Sequence, residues 1–338
     1  MALDLTPWFV GGGAQHSPEV ARLLAYAATS GAEGIVEPAS LAVKAQSTPN
    51  GTVAVRPGAA LIVNRYAGGT QQTYVLRNAS STSVTIPATG SGGGRTDAIV
   101  ARILDPQYEG SAPTDPVTFN YARLERIGSV PGNLKNISQL GLTYPAILLA
   151  KITIPASTGT ITNGMIADLR EVAIPRVLDV VRANPIVAGD AGLTLTATRA
   201  NGEAFPNAGG TQLFDIPDWA TRAQIRAYWT QVRYPGSKNH VGKYWVEYGP
   251  GVGGLNGTQD RERSTQRFSF NSDTAANVVR EQWMMADDVY IPAAYRGTTQ
   301  NFVMKAKNDS ANTGVAVDPW SGVFWEVRFL EVADPSTT

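Results

Sequence analysis

The sequence predicts a mainly β protein in two parts: an N-terminal β-rich domain with one short amphipathic helix, and a C-terminal antiparallel β-sandwich of jelly-roll kind. Three observations carry this. From Val36 to about Arg170 the chain is a succession of short strand-like runs separated by glycine, proline and asparagine. Six of the seven tryptophans (Trp219, Trp229, Trp245, Trp283, Trp320 and Trp325) lie after residue 210, a shift that marks a second domain. Runs in that second part alternate with period two: Ala223, Ile225, Ala227 and Trp229 share one face, and Val323, Trp325, Val327 and Phe329 form a matching run. A length of 338 residues suits two domains that each bury a core. The expected division is 1–173 for the first, 174–210 for a connector and 211–338 for the second.

The one convincing helix has Ser17 as N-cap, Pro18 at the first helical position, Glu19 in the first turn, and an end near Gly31. Val20, Leu23, Leu24 and Ala27 form its apolar face, made to lie on something else. The clearest strands that follow are Thr52 to Val55, Ala59 to Val63, Thr73 to Leu76, Val84 to Ile86, Ala98 to Ile103 and Ile147 to Ile154. The loop Gly90 to Gly94 and the stretch Pro106 to Pro116 are turn-rich and are candidates for contact with neighbouring chains. Val177, Leu178, Val180 and Val181, bracketed by Pro175 and Pro185, predict a short connector helix, with a polar linker to Gly210. No internal repeat of solenoid length is present.

Composition excludes several function classes. Basic and acidic residues both number 28, so no net field favours a polyanion, and no nucleic-acid partner is expected. The charged fraction, 17%, is below the usual ~25%, a hint that part of the surface is covered by other subunits. The absence of cysteine removes disulfides, thiolate metal sites and cysteine nucleophiles. No lysine or arginine precedes Arg22, and Pro7 with Gly11, Gly12 and Gly13 breaks the early apolar run, so no signal peptide is expected. The run Ala146 to Ile154 is too short to cross a bilayer. Synthesis in a cytoplasm without membrane insertion is the expectation.

Catalytic chemistry finds little support. His16 and His240 have no partner at metal or triad spacing and read as solvated loop residues. The run Gly249 to Gly254 resembles a phosphate cradle but lacks the lysine and helix start that a nucleotide site needs. Asp287 with Asp288, and Asp309 with Asn308 and Asn312, could supply oxygens to calcium; without an EF-hand register, turn hydrogen bonding is the favoured use. The pairs Arg95/Asp97 and Asp168/Arg170, two residues apart, read as structural ion pairs on one strand face. Neither a metal nor a cofactor is expected, and the chain is expected not to be an enzyme.

Four segments carry a resemblance: GGGAQHSPEVARLLAYAATSGAEGIVEPASLAV (Gly11 to Val43), VRPGAALIVNRYAGGTQQTYVLRNAS (Val55 to Ser80), GRTDAIVARILDPQYEG (Gly94 to Gly110) and YPAILLAKITIPASTGTITNGMIADLR (Tyr144 to Arg170). They resemble the anchoring domain of minor tail or baseplate proteins of tailed phages that infect actinobacteria. The C-terminal segments FDIPDWATRAQIRAYW (Phe214 to Trp229) and IPAAYRGTTQNF (Ile291 to Phe302) are similar, more loosely, to a variable β module of that family. The resemblance implies a structural virion protein at the tail tip, with other tail proteins as partners. It implies a homo-oligomer, a trimer being favoured, whose C-terminal module attaches to the host surface. It supplies no defined receptor contact.

If that module binds cell-wall glycan, aromatic faces should lie exposed beside amides and charges, because sugar C–H faces stack on rings while hydroxyls need hydrogen bonds. Phase assigns Trp229, Trp283 and Trp325 to the core. Tyr228 is out of phase with Trp229, Trp245 stands between Lys243 and Glu247, and Trp219 and Trp320 occupy proline-marked turns. These four are the candidate glycan- or receptor-binding residues. Two rival readings are a pure scaffold that touches only tail proteins and a depolymerase of cell-wall polysaccharide.

Overall fold

The computed structural model describes residues 17–190, 193–198, 202–207, 209–235, 239–249, 265–271, 278–309 and 314–334. The chain is mainly β and falls into two compact units, Met1–Pro175 with Val332–Thr338, and Arg176–Glu331.

Among the described residues, the first unit holds α1 (Pro18–Thr29) and ten strands: β1 (Gly34–Ile35), β2 (Val43–Ala45), β3 (Thr52–Val55), β4 (Gly58–Val63), β5 (Thr73–Asn78), β6 (Thr82–Thr85), β7 (Arg95–Ile103), β8 (Ala122–Ile127), β9 (Ala146–Ile154) and β10 (Ile166–Asp168). They form three antiparallel sheets of order β1-β4-β5, β2-β3-β6 and β10-β9-β7-β8. Ile35, Val53, Val55, Ile62, Ile99, Leu149 and Ile152 meet in the main core. Ala98, Val100 and Leu148 pack with Val130 and Leu134 on the other side of β7 and β9. Burial on both faces explains why these two strands read as continuous apolar runs rather than alternating ones.

Helix α1 begins as the sequence predicts: the Ser17 hydroxyl accepts the Val20 amide at 3.4 Å, and Ser30, at φ 53, ends it. Its orientation differs from the expected one. Arg22 is the buried residue, donating to Gln72 (2.6 Å), Asp105 (3.2 Å), Gln107 (2.9 Å) and Tyr108 (3.3 Å), whereas Leu23 and Leu24 stay exposed and Ala27 with them. Four acceptors gathered around one guanidinium fix the rotation of a twelve-residue helix against its hydrophobic preference. The same contacts commit Gln107 and Tyr108 of the stretch Pro106 to Pro116 to this chain's own structure.

The two ion pairs read from sequence are present. Asp97 is fully buried, accepting from Arg95 Nε (2.8 and 3.0 Å), Arg126 Nη1 (3.1 Å) and the Ser129 amide (3.1 Å). Burial pushes its carboxyl up, but these donors outweigh burial and hold it below the ordinary carboxylate value. A depressed folded value contributes stability above the unfolded value of about 3.9 and loses it as pH falls through the folded one. Asp97→Asn should therefore destabilise the first unit at pH 7, with the gap to wild type closing in acid. Melting curves from pH 7 to 2 test this, and a gap that is constant with pH would refute it.

The second unit contains β11 (Val177–Pro185), β12 (Glu203–Ala204), β13 (Thr211–Asp215), β14 (Arg222–Tyr234), β15 (Asn239–Gly249), β16 (Gln266–Asn271), β17 (Val279–Tyr290), β18 (Thr299–Asn308) and β19 (Gly322–Leu330). One sheet has the order β11-β19-β14-β17; in the other, β12 and β13 pair in succession along β18, followed by β15 and β16. With β12 and β13 taken as one interrupted edge, the orders are 1-8-3-6 and 2-7-4-5. First pairs with eighth, second with seventh, third with sixth and fourth with fifth, which is the rolled-up chain of a jelly roll. The two runs identified from sequence are neighbours in register, Ala223↔Phe329, Ile225↔Val327, Ala227↔Trp325 and Trp229↔Val323. Trp229, Trp283 and Trp325 are buried as their phase requires.

Three expectations are corrected. The predicted connector helix is β11, paired with β19 from Val177↔Leu330 to Pro185↔Gly322. Its run of β-branched residues fits a strand beside β19 better than an isolated helical turn. The predicted linker after it contributes to the core through Ile186, Leu195 and Phe205. The end of the chain leaves the second unit: Asp334 is buried in the first, its amide 3.3 Å from the Pro38 carbonyl and its own carbonyl 3.3 Å from Arg170 Nη2.

Candidate binding face of the C-terminal unit

Period two, which sends tryptophans inward, sends the intervening residues of β14, β17 and β19 to the outer face of the sheet. From its middle to the end where β14 begins run three ion pairs: Arg328 Nε to Asp179 at 2.6 Å, Arg226 to Glu326 at 3.5 Å and Arg222 Nε to Asp288 at 2.5 Å. The Arg328 guanidinium holds the Asp179 carboxyl below its usual value. Asp179, Val181, Gln224, Arg226, Glu326 and Arg328 line a depression of about 220 Å³. Its charges are balanced in pairs, so what it offers is directed donors and acceptors without net charge.

One end of the face is aromatic. Tyr228 stacks on Phe324 with ring centroids 4.2 Å apart and planes 15° from parallel. Across β14 the register neighbour of Tyr228 is Met284, which is 62% exposed. At the same end, two residues before Gly322, Trp320 is 80% exposed on a turn that is itself held firmly. Asp318 accepts the Trp320 amide at 3.0 Å and pairs with Arg280 at 2.5 Å, and the Ser321 hydroxyl donates to the Gln231 carbonyl at 2.8 Å. Gln231, at φ 57, lies in the bulge between Trp229 and Val232. An exposed indole on a rigid support loses little entropy on binding.

The structure thus brings two of the four sequence candidates, Tyr228 and Trp320, to one end of one sheet. Trp219 lies in the turn before the start of β14, at the opposite end, half-buried against the core with Arg176 5.2 Å from its ring centre. Trp245 is not a surface residue. It is buried, its indole N–H donating to Glu247 at 2.9 Å beside the Lys305–Glu247 pair. The segment at Gly202 crosses the ring so closely that a Cβ there would come within 2.5 Å of it. Phase assigns a face but does not say whether another segment covers it. Phe324 and Met284 were missed, although both are out of phase with their tryptophan neighbours in the same way as Tyr228.

His240, expected to be solvated, is buried in β15 with Nε2 3.1 Å from the Pro235 carbonyl. Asn308 is buried and donates to the Leu195 carbonyl, Asp309 pairs with Lys307 at 2.9 Å, and Asp288 is held by Arg222. Asp287 stands beside it on β17. His16, Asn312 and all but the first residue of the Gly249 to Gly254 run lie outside the described residues. Among the described residues no group of three histidines or carboxylates is placed to hold a metal ion, and no helix is long and apolar enough to cross a membrane.

No protein-family model and no curated protein matches the chain. Among solved structures it is similar to the VP2 subviral particle of infectious bursal disease virus, at 12% identity and a TM-score of 0.25, over 90% of this chain and 69% of that one. It is also similar to the particle of Macrobrachium rosenbergii nodavirus, at 7% and 0.21, over 48% and 98%. A third is PNGase F, a glycosylasparaginase from Flavobacterium meningosepticum, at 10% and 0.23, over 75% and 88%. Likenesses this weak, spread over virion proteins and an enzyme, carry no argument about function.

Proposed function

We propose that this chain is a structural subunit of a virion, a minor tail protein of a phage tail tip or baseplate. In this reading the N-terminal unit anchors it to other tail proteins, and the C-terminal jelly roll attaches to glycan on the host surface. The observation that carries the attachment role is the outer sheet face, where Tyr228, Phe324 and Trp320 stand at one end and paired arginines and carboxylates continue beside them. Ring faces suit the C–H faces of sugars, and the paired groups suit their hydroxyls. The placement in a tail rests on the sequence segments of the first unit. The jelly roll is compatible with it, since this architecture recurs in viral capsid and lectin domains, but fold does not set function.

A depolymerase would need a carboxyl kept protonated near neutral pH. Asp179, Glu326 and Asp288 each face an arginine, and Asp179 is pushed the other way. Attachment without turnover is therefore the proposal. Copies held on one particle would add weak contacts through effective concentration.

Sedimentation of the full chain with purified actinobacterial cell wall tests the reading. Wild type should co-sediment, and the double variant Tyr228→Ala/Phe324→Ala should bind at least about tenfold more weakly, as loss of a stacking platform worth about 1.4 kcal/mol implies, while remaining folded with stability lowered by about 1 kcal/mol through loss of the cross-strand ring pair. Trp320→Ala should weaken binding independently. Unchanged binding by both variants would sink the attachment face. Binding only to other tail proteins would favour the scaffold, and release of reducing ends would favour the enzyme.

A further inference from the structure

The outer sheet of the jelly roll ends in two edge strands that are treated differently by the sequence. Edge strands expose a row of unpaired N–H and C=O groups, and charged side chains are one means of keeping them single. On β17 stand Arg280, Glu281, Asp287 and Asp288. On β11 only Asp179 and Arg182 are charged among nine residues, while Val177, Leu178 and Val181 are 51%, 40% and 63% exposed.

The backbone of β11 shows what fits it. Glu331 donates its amide to the Arg176 carbonyl at 3.0 Å, and Ile186 donates to Ser321 at 3.2 Å. Even-numbered residues therefore turn their backbone groups toward β19, and the odd-numbered Val177, Asp179, Val181 and Ala183 turn theirs away from the sheet. We propose that this edge pairs with β11 of a second copy of the chain, antiparallel and about a twofold axis midway between the two facing Val181 residues.

The twofold axis runs perpendicular to the sheet, so each residue faces one of the same phase. Val181 meets Val181, Asp179 meets Ala183 and Val177 meets Pro185. Every outward N–H then faces a carbonyl, and the N–H that Pro185 lacks falls at the ends of the ladder, where its loss costs least. Arg182 faces Val180, so no like charges are opposed. The strand is thus complementary to itself in hydrogen bonding and apolar contact and sets no like charges opposite one another, as an isologous contact requires. One strand pair buries less than the ~1,200 Å² of a standard interface, so the dimer is weak and depends on concentration. The proposal concerns assembly and does not require glycan binding, although Asp179 and Val181 also line the depression on the outer face.

Analytical ultracentrifugation of the full chain over a range of concentrations provides the test. Wild type should show a reversible monomer–dimer equilibrium. Val181→Pro removes an outward N–H without touching the ladder to β19, and should raise the dimer dissociation constant at least about tenfold with unchanged melting. Because the chain has no cysteine, V181C offers a second readout. A short thiol-to-thiol cross-linker should trap V181C as a dimer and leave M284C, on β17, monomeric. A wild type that stays monomeric throughout, or an oligomer that Val181→Pro leaves intact, a trimer included, would overturn the proposal.

Discussion

Trp283→Ala is expected to lower the stability of the C-terminal unit by about 3–5 kcal/mol, the cost of truncating a large buried aromatic side chain. The indole stacks with Tyr244, at 4.7 Å and 6° from parallel, and with Phe268, at 4.7 Å and 16°. Trp229 meets it edge-on at 6.0 Å, and its N–H donates to the Tyr234 hydroxyl at 2.7 Å. Rings stacked against the indole cannot close over the space without giving up their own packing, so the cavity persists. Tyr234 is itself buried, which pushes its hydroxyl well above its ordinary pKa; it would lose the indole donor as well. A loss of this size is a large part of the ~5–15 kcal/mol that holds a domain together. Hydrogen exchange in denaturant would resolve the two units. Protection in 176–331 should fall while that in 17–175 stays, and Trp283→Phe should recover part of the loss. A variant within about 0.5 kcal/mol of wild type, the range of ordinary surface substitutions, would mean that the stack is not the centre of this core.

What the sequence made legible is what depends on local period and local chemistry. The alternation in β14 and β19 identified both their core faces; that the two strands are neighbours came only from the register. Ser17 and Pro18 placed the start of α1, because capping involves only neighbours. The failures share a cause of another kind. Arg22 rather than Leu23 became the buried side of α1, since Gln72, Asp105 and Gln107 come from distant parts of the chain. The valines between two prolines lean toward a strand, but the run is too short for its period to decide, and the partner β19, some 150 residues away, settles β11. Trp245 was assigned to the surface by phase and is covered by the segment at Gly202. Of the binding face, Tyr228 and Trp320 could be found from phase and turn. That they share one end of a sheet follows from the register of Tyr228 with Phe324, which no local pattern contains.

The same dependence on distant partners makes Arg170 the most consequential charged residue of the first unit. Its side chain is wholly buried, yet Asp168 meets only part of its donors, through Nε at 2.9 Å and Nη2 at 2.6 Å. The rest go to the carbonyls of Pro38 at 3.0 Å, Ser40 at 2.6 Å and Asp334 at 3.3 Å, so one planar fork joins β10, the segment before β2 and the returning end of the chain. Arg170→Met keeps the apolar stem but leaves a carboxylate and three carbonyls without this donor. The expected loss is about 2–3 kcal/mol, mainly the cost of leaving carbonyls packed around the buried stem without a donor, since Asp168 itself is partly open to water. Arg170→Lys should recover little, because an ammonium cannot reach acceptors spread around a planar guanidinium. Asp168→Asn should cost less than Arg170→Met, because its side-chain oxygen can still accept. Hydrogen exchange would separate this from a simple loss of charge: the Asp334 amide, bonded to Pro38, should lose protection in Arg170→Met, while amides of β14 and β19 remain protected. If Arg170→Met melts like wild type with Asp334 still protected, the apolar core holds the chain end without the fork.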